Sequence, residues 1–234
     1  MSLIGLALVT LVTYPMGLAL GQPWLLPVLN TLPAYATMLG RLRRGDRRGA
    51  VVAVLVWALA LALFGTLSFA LWPSDPGKLV LNGPQYRDEM FHWIRTGEGS
   101  EGSPRLFLPQ HLLHLTAFVA LSLATASVLS IFMGAVLMNY MGYYVASLAR
   151  AGVPATATVL LGWQPWALCR VAAFCTLGAV LAEPLLARLR PYRYDSLGSA
   201  HSFLLWAAAG ILADCVLKAA LAPVWGALLR RLLA

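Results

Sequence analysis

Two histidines three residues apart, His111 and His114, sit just inside a stretch with no Asp, Glu, Lys or Arg, Pro109 to Ala149. On a helix with 100° per residue, His111, His114, Ser122 and Thr125 fall within about a quarter-turn of one another, with Phe118 among them. Such a stripe can pair with neighbouring helices, line a wet path or cavity, or begin a metal site. The spacing of His111 and His114 permits joint ligation, but a third ligand is not identifiable, so no metal or other cofactor is assigned. Asp88, Glu89 or His92 are the nearest candidates from outside the stretch.

A second set is Arg170, Asp214 and Lys218, charges set deep in apolar runs where unpaired charge is rare. Asp214 and Lys218 are four residues apart in the favourable helical order. Arg170 lies about as far before the connector near residues 188–199 as Asp214 lies after it. Antiparallel neighbouring helices would therefore bring the two to similar depth, predicting an Arg170–Asp214–Lys218 cluster. Structural pairing and ion or proton handling are its two roles. A third set consists of Asn139 within MGAVLMNYMGYY and Gln164 within VLLGWQPW. Both segments read as Gly-containing helix breaks, tolerated in lipid only inside protein or beside a cavity, or else as kinked helices packed through glycine.

The elements that must hold these residues are membrane helices. The chain has 234 residues, of which 60% are hydrophobic and only 11% charged, with mean hydropathy +0.75. Soluble domains carry roughly 25% charged residues, so much of this surface must face lipid. The net charge of +8 comes from basic clusters between apolar runs, which suits anionic headgroups and gives no basic face for nucleic acid. Cys169, Cys175 and Cys215 lie in apolar runs without a pairing or ligand pattern and read as buried small residues. The fold class is all-α, a polytopic transmembrane bundle with five to seven membrane segments, some broken or re-entrant, in one membrane domain over residues 1–234.

Along the chain, Leu3 to Leu20 is a first span and Gln22 to Gly40 a proline-rich bent span or re-entrant segment. Arg41 to Gly49 has five arginines and one aspartate, which places this loop in the cytoplasm of an inner (plasma) membrane protein. Ala50 to Trp72 crosses next, so residues 73–108 are extracytoplasmic if both earlier runs cross. Within them, residues 84–95 form an amphipathic helix, with Pro84 in its first turn and Gly97 after its end. Tyr86, Met90, Trp93 and Ile94 share one face, suited to a membrane surface or to capping the bundle. Pro154 to Ala187 is broken at GWQPW, leaving a half-helix and then a span from about Trp166. His201 to Leu221 is the last span, with Pro223 separating it from a short basic tail. The basic residues after Ala187 and those of the tail flank a single span, so one group opposes the positive-inside tendency unless the tail folds back.

The segment LMNYMG, a turn and GWQPWALCRVAAFCTLGAVLAEPLL resembles bacterial stage II sporulation protein M over about a quarter of the chain. Gln164-Pro165 stands where that family has His-Gly, and no Glu follows at the matching spacing. The resemblance implies a broken-helix membrane architecture and transfers no functional residue.

HExxH, GxSxG, P-loop and paired-glutamate protease motifs are absent, which argues against an enzyme. The leading expectation is a transport, channel or membrane-complex component whose partners are the bilayer and a further protein or second copy. An intramembrane enzyme using His111 and His114 on lipid or peptide, and a structural subunit, are the alternatives. Transport predicts a wet cavity reaching Asn139 and Gln164. Catalysis predicts the histidines converging with acidic residues in a pocket. A subunit predicts no cavity and a large apolar patch outside the lipid belt.

Overall fold

The computed structural model describes residues 1–189 and 198–233, and among them it contains helices and no strand. In order these are α1 (Leu3–Ala19), α2 (Leu25–Leu42), α3 (Arg47–Ala60), a π turn (Leu61–Gly65), α4 (Thr66–Leu71) and a 3₁₀ turn (Pro76–Leu79). They are followed by α5 (Gly83–Thr96), α6 (Pro104–Thr125), α7 (Val128–Arg150), α8 (Ala155–Gly162), α9 (Pro165–Leu181), α10 (Glu183–Leu189) and α11 (Gly198–Leu233). Five helical stretches are long and apolar enough to cross a membrane: Arg47–Leu71, Pro104–Thr125, Val128–Arg150, Pro165–Leu189 and Ala200–Leu233. The chain thus has the makings of a multi-pass membrane protein. α1 is apolar but shorter than these five, and α2 runs through Pro33 as one helix instead of forming a re-entrant loop.

Polar pairs at the helix ends show how the five stretches alternate. Arg47, at the start of α3, forms a two-pronged bond to Glu183, at the start of α10, at 2.6 and 2.7 Å. At the far end of α4, the Arg150 guanidinium closing α7 donates to the carbonyls of Phe69, Trp72 and Ser74. Arg230, near the end of α11, donates to the carbonyl of Ile94 in α5 at 2.7 Å. Hence α3–α4, α7 and α11 run towards α5, while α6 and α9 run away from it. Arg230 and Glu183 occupy opposite ends, so the tail does not fold back. α11 instead continues as one helix through Pro223, correcting the expected break there. At about 1.5 Å per residue, this long helix outruns a bilayer core of about 30 Å. Its last turns pass beneath α5, where Gly226 lies against Trp93. The connector after α10 lies largely outside the described residues.

Arg47 and Glu183 are 11% and 13% exposed, so removing one charge strands the other. Arg47→Met is expected to cost about 3 kcal/mol, read as a lowered unfolding midpoint in detergent. Adding Glu183→Gln should restore most of that loss. In the loop just before, Asp46 caps α3 by accepting from Gly49 N–H at 2.7 Å. That bond, with the Arg41 guanidinium at 3.0 Å, holds its carboxyl below the usual carboxylate range.

The amphipathic helix forms as the sequence predicts. Pro84 sits in the first turn of α5, and Gly97 ends it with a left-handed φ of 79°. Met90, Trp93 and Ile94 are buried against α7 and the end of α11, so α5 caps the bundle.

α7 does not break where its glycines and Asn139 suggested. It is continuous from Val128 to Arg150, because packing outweighs the roughly 1 kcal/mol that glycine costs a helix. Gly142 faces the α4 backbone, with Thr66 N 3.5 Å from where a Cβ would stand, an ordinary packing distance. Asn139 makes its side-chain contacts from a continuous helix, through its oxygen alone, since its Nδ2 has no hydrogen-bond partner. Its Oδ1 accepts from Tyr14 Oη at 2.9 Å and from Asn30 Nδ2 at 3.1 Å. Thr13 Oγ1 donates to Asn30 Oδ1, and Trp57 Nε1 to the Asn30 carbonyl. Tyr14 Oη also shares its proton with the carbonyl of Leu61, in the π turn. A π turn displaces one backbone bond, and Gly65 beside it leaves room for the Tyr14 hydroxyl, 2.5 Å from an added Cβ. This network joins α1, α2, α3 and α7.

The break at GWQPW is real. Trp163 and Gln164 adopt extended ψ values of 93° and 142° between α8 and α9. Pro165 disfavours helix at the residue before it. Gly162 is pressed on Val145, whose Cγ1 is 2.7 Å from the position of an added Cβ.

Candidate functional site

α6 and α11 are the two least buried of the five long helices. Leu112 and Leu113 of α6 and Leu212 and Val216 of α11 are exposed apolar residues, as expected of faces that meet lipid. The polar residues of both helices point the other way. Asp214 and Lys218 are each 1% exposed, and His111 is 10% exposed. The polar stripe therefore marks the inner face of α6.

Three helices meet at His111. Its Nε2 lies 2.8 Å from Arg170 Nη1 of α9 and 3.1 Å from Asp214 Oδ2 of α11, while Arg170 Nε is 3.8 Å from that same oxygen. The pairing of Arg170 with Asp214 agrees with the sequence argument from depth. Lys218 departs from it, because its Nζ donates to Glu101 Oε1 at 2.9 Å and sits 4.7 Å from the centre of the Phe107 ring. The cluster is thus His111–Arg170–Asp214, with a separate Lys218–Glu101 bridge beside it. Glu101 was missed because it stands in GEGSEGSP, a Gly- and Ser-rich return with no periodicity to mark an inward side chain. The bond draws that return over the bundle, and Phe107 lies between it and His111, whose ring is 5.3 Å away.

These groups head a cavity. Tyr86, Glu89, Glu101, His111, His114, Tyr140 and Arg170 line its charged end, near α5. Val54, Trp57, Ile131, Gly134, Phe174 and Cys175 line its apolar depth. Its volume, counted for the centres of water-sized occupants, is about 80 Å³, room for about five waters. That suits waters or one slender chain, and not a bulky ring system. Cys175 donates its thiol weakly to the Val54 carbonyl at 3.7 Å, in keeping with a buried small residue.

The remaining stripe residues have local duties. Thr125 Oγ1 donates to the Leu121 carbonyl and accepts from Leu129 N–H, tying the end of α6 to the start of α7. Ser122 is fully buried below the cavity. Asn139 belongs to the network around Tyr14, and neither it nor Gln164 lines the cavity. Gln164 is 1% exposed, and its Nε2 has no hydrogen-bond partner. Asp88 and His92 line a separate groove with Arg87 and Arg150, so of the extra ligands considered only Glu89 reaches the cavity. Among the described residues no three His, Cys, Asp or Glu side chains gather as metal ligands. The Arg170 cation against His111 Nε2 also opposes a metal ion there.

Two atoms at the cluster lack partners although buried: His111 Nδ1 and Asp214 Oδ1. Buried polar atoms are nearly always bonded to protein or water, and both atoms lie beside a cavity with room for water, although the Ser122 hydroxyl and the Asn139 and Gln164 amide nitrogens also lack protein partners. Comparison with protein-family models, with curated proteins and with solved structures gave no match.

Proposed function

We propose that this protein is a membrane-embedded binding or transport protein for an amphiphilic molecule. The polar head of the amphiphile sits at His111, His114 and Arg170, and its apolar part extends towards Trp57, Ile131 and Phe174. The observation that carries this reading is the cavity itself, charged at one end and apolar in its depth. A purely structural subunit needs no such space, and buried ion pairs made only for packing seldom repay their desolvation. The convergence of His111 with Asp214 favours an enzyme as a second reading. Against it, neither histidine bonds a hydroxyl or thiol among the described residues, so the contact of base and nucleophile that covalent catalysis requires is missing. The arginine-rich Arg41–Gly49 loop supports a cytoplasmic position for the start of α3 in an inner membrane, with α5 on the opposite side.

Gly134 supplies the test. A Cβ there would meet only Trp57, at 3.8 and 4.0 Å, so Gly134→Leu fills the cavity without forcing helices apart and improves helix propensity. Purified protein of each form, incubated with an excess of decanesulfonate or decanol, is examined by native mass spectrometry. The original protein is expected to retain one amphiphile and Gly134→Leu none, at an equal unfolding midpoint. Equal retention by both forms would overturn the proposal, as would no retention by either.

A further inference from the structure

We propose that the head of the bound amphiphile is an anion, a carboxylate, phosphate or similar oxyanion, and that its binding is coupled to uptake of one proton by His111. This rests on the amphiphile reading above and names the chemistry of the same site.

The argument begins with the lone pair on His111 Nε2. At 2.8 Å from Arg170 Nη1 it must be the acceptor, since arginine has only donors. Asp214 Oδ2, 3.1 Å away, is an ion-pair neighbour that Nε2 can serve only as a donor, once it carries a proton, since a carboxylate only accepts. One nitrogen cannot do both, so the contacts define two exclusive states. In the first, His111 is neutral, its proton is on Nδ1, and one N–H of Arg170 is held on Nε2, which fixes the guanidinium in place. In the second, Nε2 carries a proton and donates to Asp214. The Arg170 N–H then faces another N–H and must leave.

Protonation therefore does more than add charge. The bond from Arg170 Nη1 to Nε2 breaks, the bond from Nε2–H to Asp214 Oδ2 forms, and a guanidinium at the cavity wall is freed. Its planar set of donors matches a two-oxygen anion. The proton comes from water and the anion from the lipid or aqueous phase, so the step adds one positive and one negative charge and leaves the site's total unchanged. That matters in a low-dielectric bundle, where uncompensated charge is costly.

The surrounding charges leave this pair to decide the outcome. Lys218 of α11 is matched by Glu101, which precedes α6. On α5, Tyr86 and Glu89 reach the cavity, and Glu89 accepts from Gln85 at its exposed edge. Tyr140 of α7 and His114 of α6 complete the charged end. With Arg170 set against Asp214, no full positive charge remains for an anion until His111 gains its proton. Linkage makes the coupling reciprocal, so affinity for the anion rises as pH falls and is lost as pH rises.

Decanesulfonate is a suitable probe because its head stays anionic across the pH range, so any pH dependence belongs to the protein. Calorimetric titration of the full chain in detergent, in two buffers of different ionisation heat, counts the protons taken up. The expected result is uptake approaching one proton at neutral pH, and affinity rising at least about tenfold between about pH 8 and pH 5. His111→Gln should abolish both the uptake and the pH dependence. Arg170→Gln should weaken binding about tenfold or more, with decanol binding unchanged. His92→Gln, on the exposed side of α5, should behave as the original protein does. Retained decanol binding in each variant guards against misfolding as an explanation. Decanoate and decyl phosphate, set beside acetate and inorganic phosphate, distinguish a lipid headgroup from a free anion as the natural source. Binding of decanesulfonate and decanol with equal strength and without pH dependence would overturn this inference and leave the amphiphile reading intact. Failure of both to bind would remove the two together.

Discussion

Replacing Lys218 with methionine should destabilise the protein by about 3–5 kcal/mol, because it strands the Glu101 carboxylate in a site that is 11% exposed. Glu101→Gln should cost a similar amount, leaving an ammonium that is 1% exposed without its hydrogen-bonded carboxylate, against the Phe107 ring. The double variant should recover most of the loss, since two neutral side chains need no counter-charge. The measurement is a double-mutant cycle by denaturant unfolding in mixed micelles, with a coupling of about 1–3 kcal/mol expected. Single losses below about 1 kcal/mol would mean that the bridge behaves as an exposed pair. Glu101→Gln should also increase protease cleavage between Gly97 and Ser103, because the bond to Lys218 holds that return against the bundle.

The two buried amides should respond in opposite ways. Asn139 is 2% exposed and Gln164 1% exposed, and in sequence each stands in a similar apolar, Gly-containing segment. Asn139→Leu removes the acceptor shared by Tyr14 and Asn30, and should cost about 2 kcal/mol, the expense of leaving buried donors unmet. Both amide nitrogens lack a partner, but the Asn139 oxygen also accepts from Tyr14 and Asn30, so Gln164→Leu should by contrast be neutral or mildly stabilising. Unfolding midpoints in the same detergent decide between these outcomes. A Gln164→Leu loss as large as that of Asn139→Leu would show that Gln164 is held by something other than the protein's own groups.

The inner face of α6 was legible because a helix has a fixed period: four polar side chains on one side of an apolar rod have to face protein. The partner of Arg170 was legible for a related reason, since two helices joined by a short connector bring residues equally distant from it to the same depth. Lys218 shows where such reasoning stops. Asp214 is its neighbour by helical spacing, yet its bond goes to Glu101, 117 residues away, in a stretch without periodicity. Local spacing says which side chains are near one another on a helix but not which of them a loop will reach first.

The continuity of α7 teaches the same lesson about glycine. Gly134 and Gly142 lower helix propensity in isolation, and the sequence around Asn139 reads as a break. In the folded bundle Gly142 lies against α4, and the Asn139 oxygen meets Tyr14 and Asn30 from two other helices. The gain from that contact exceeds the local cost. At GWQPW the helix does break, with Trp163 and Gln164 extended ahead of Pro165, whereas α2 and α11 run through Pro33 and Pro223, so proline alone does not decide a break.

By itself, then, the sequence determined the solvent and the class of fold. An apolar chain of this size with so few charges must be helical and must use lipid to cover much of its surface, because backbone groups in lipid need partners within their own segment. It also determined that His111, Arg170 and Asp214 face inward, since charge and polarity at that depth cannot face hydrocarbon. Only the tertiary structure decided that these three meet around one nitrogen at the head of a cavity, while Asn139 and Gln164 do not reach it. Rotation, tilt and order of packing among helices are set by side-chain fit between segments far apart in the chain, and no local pattern encodes that fit.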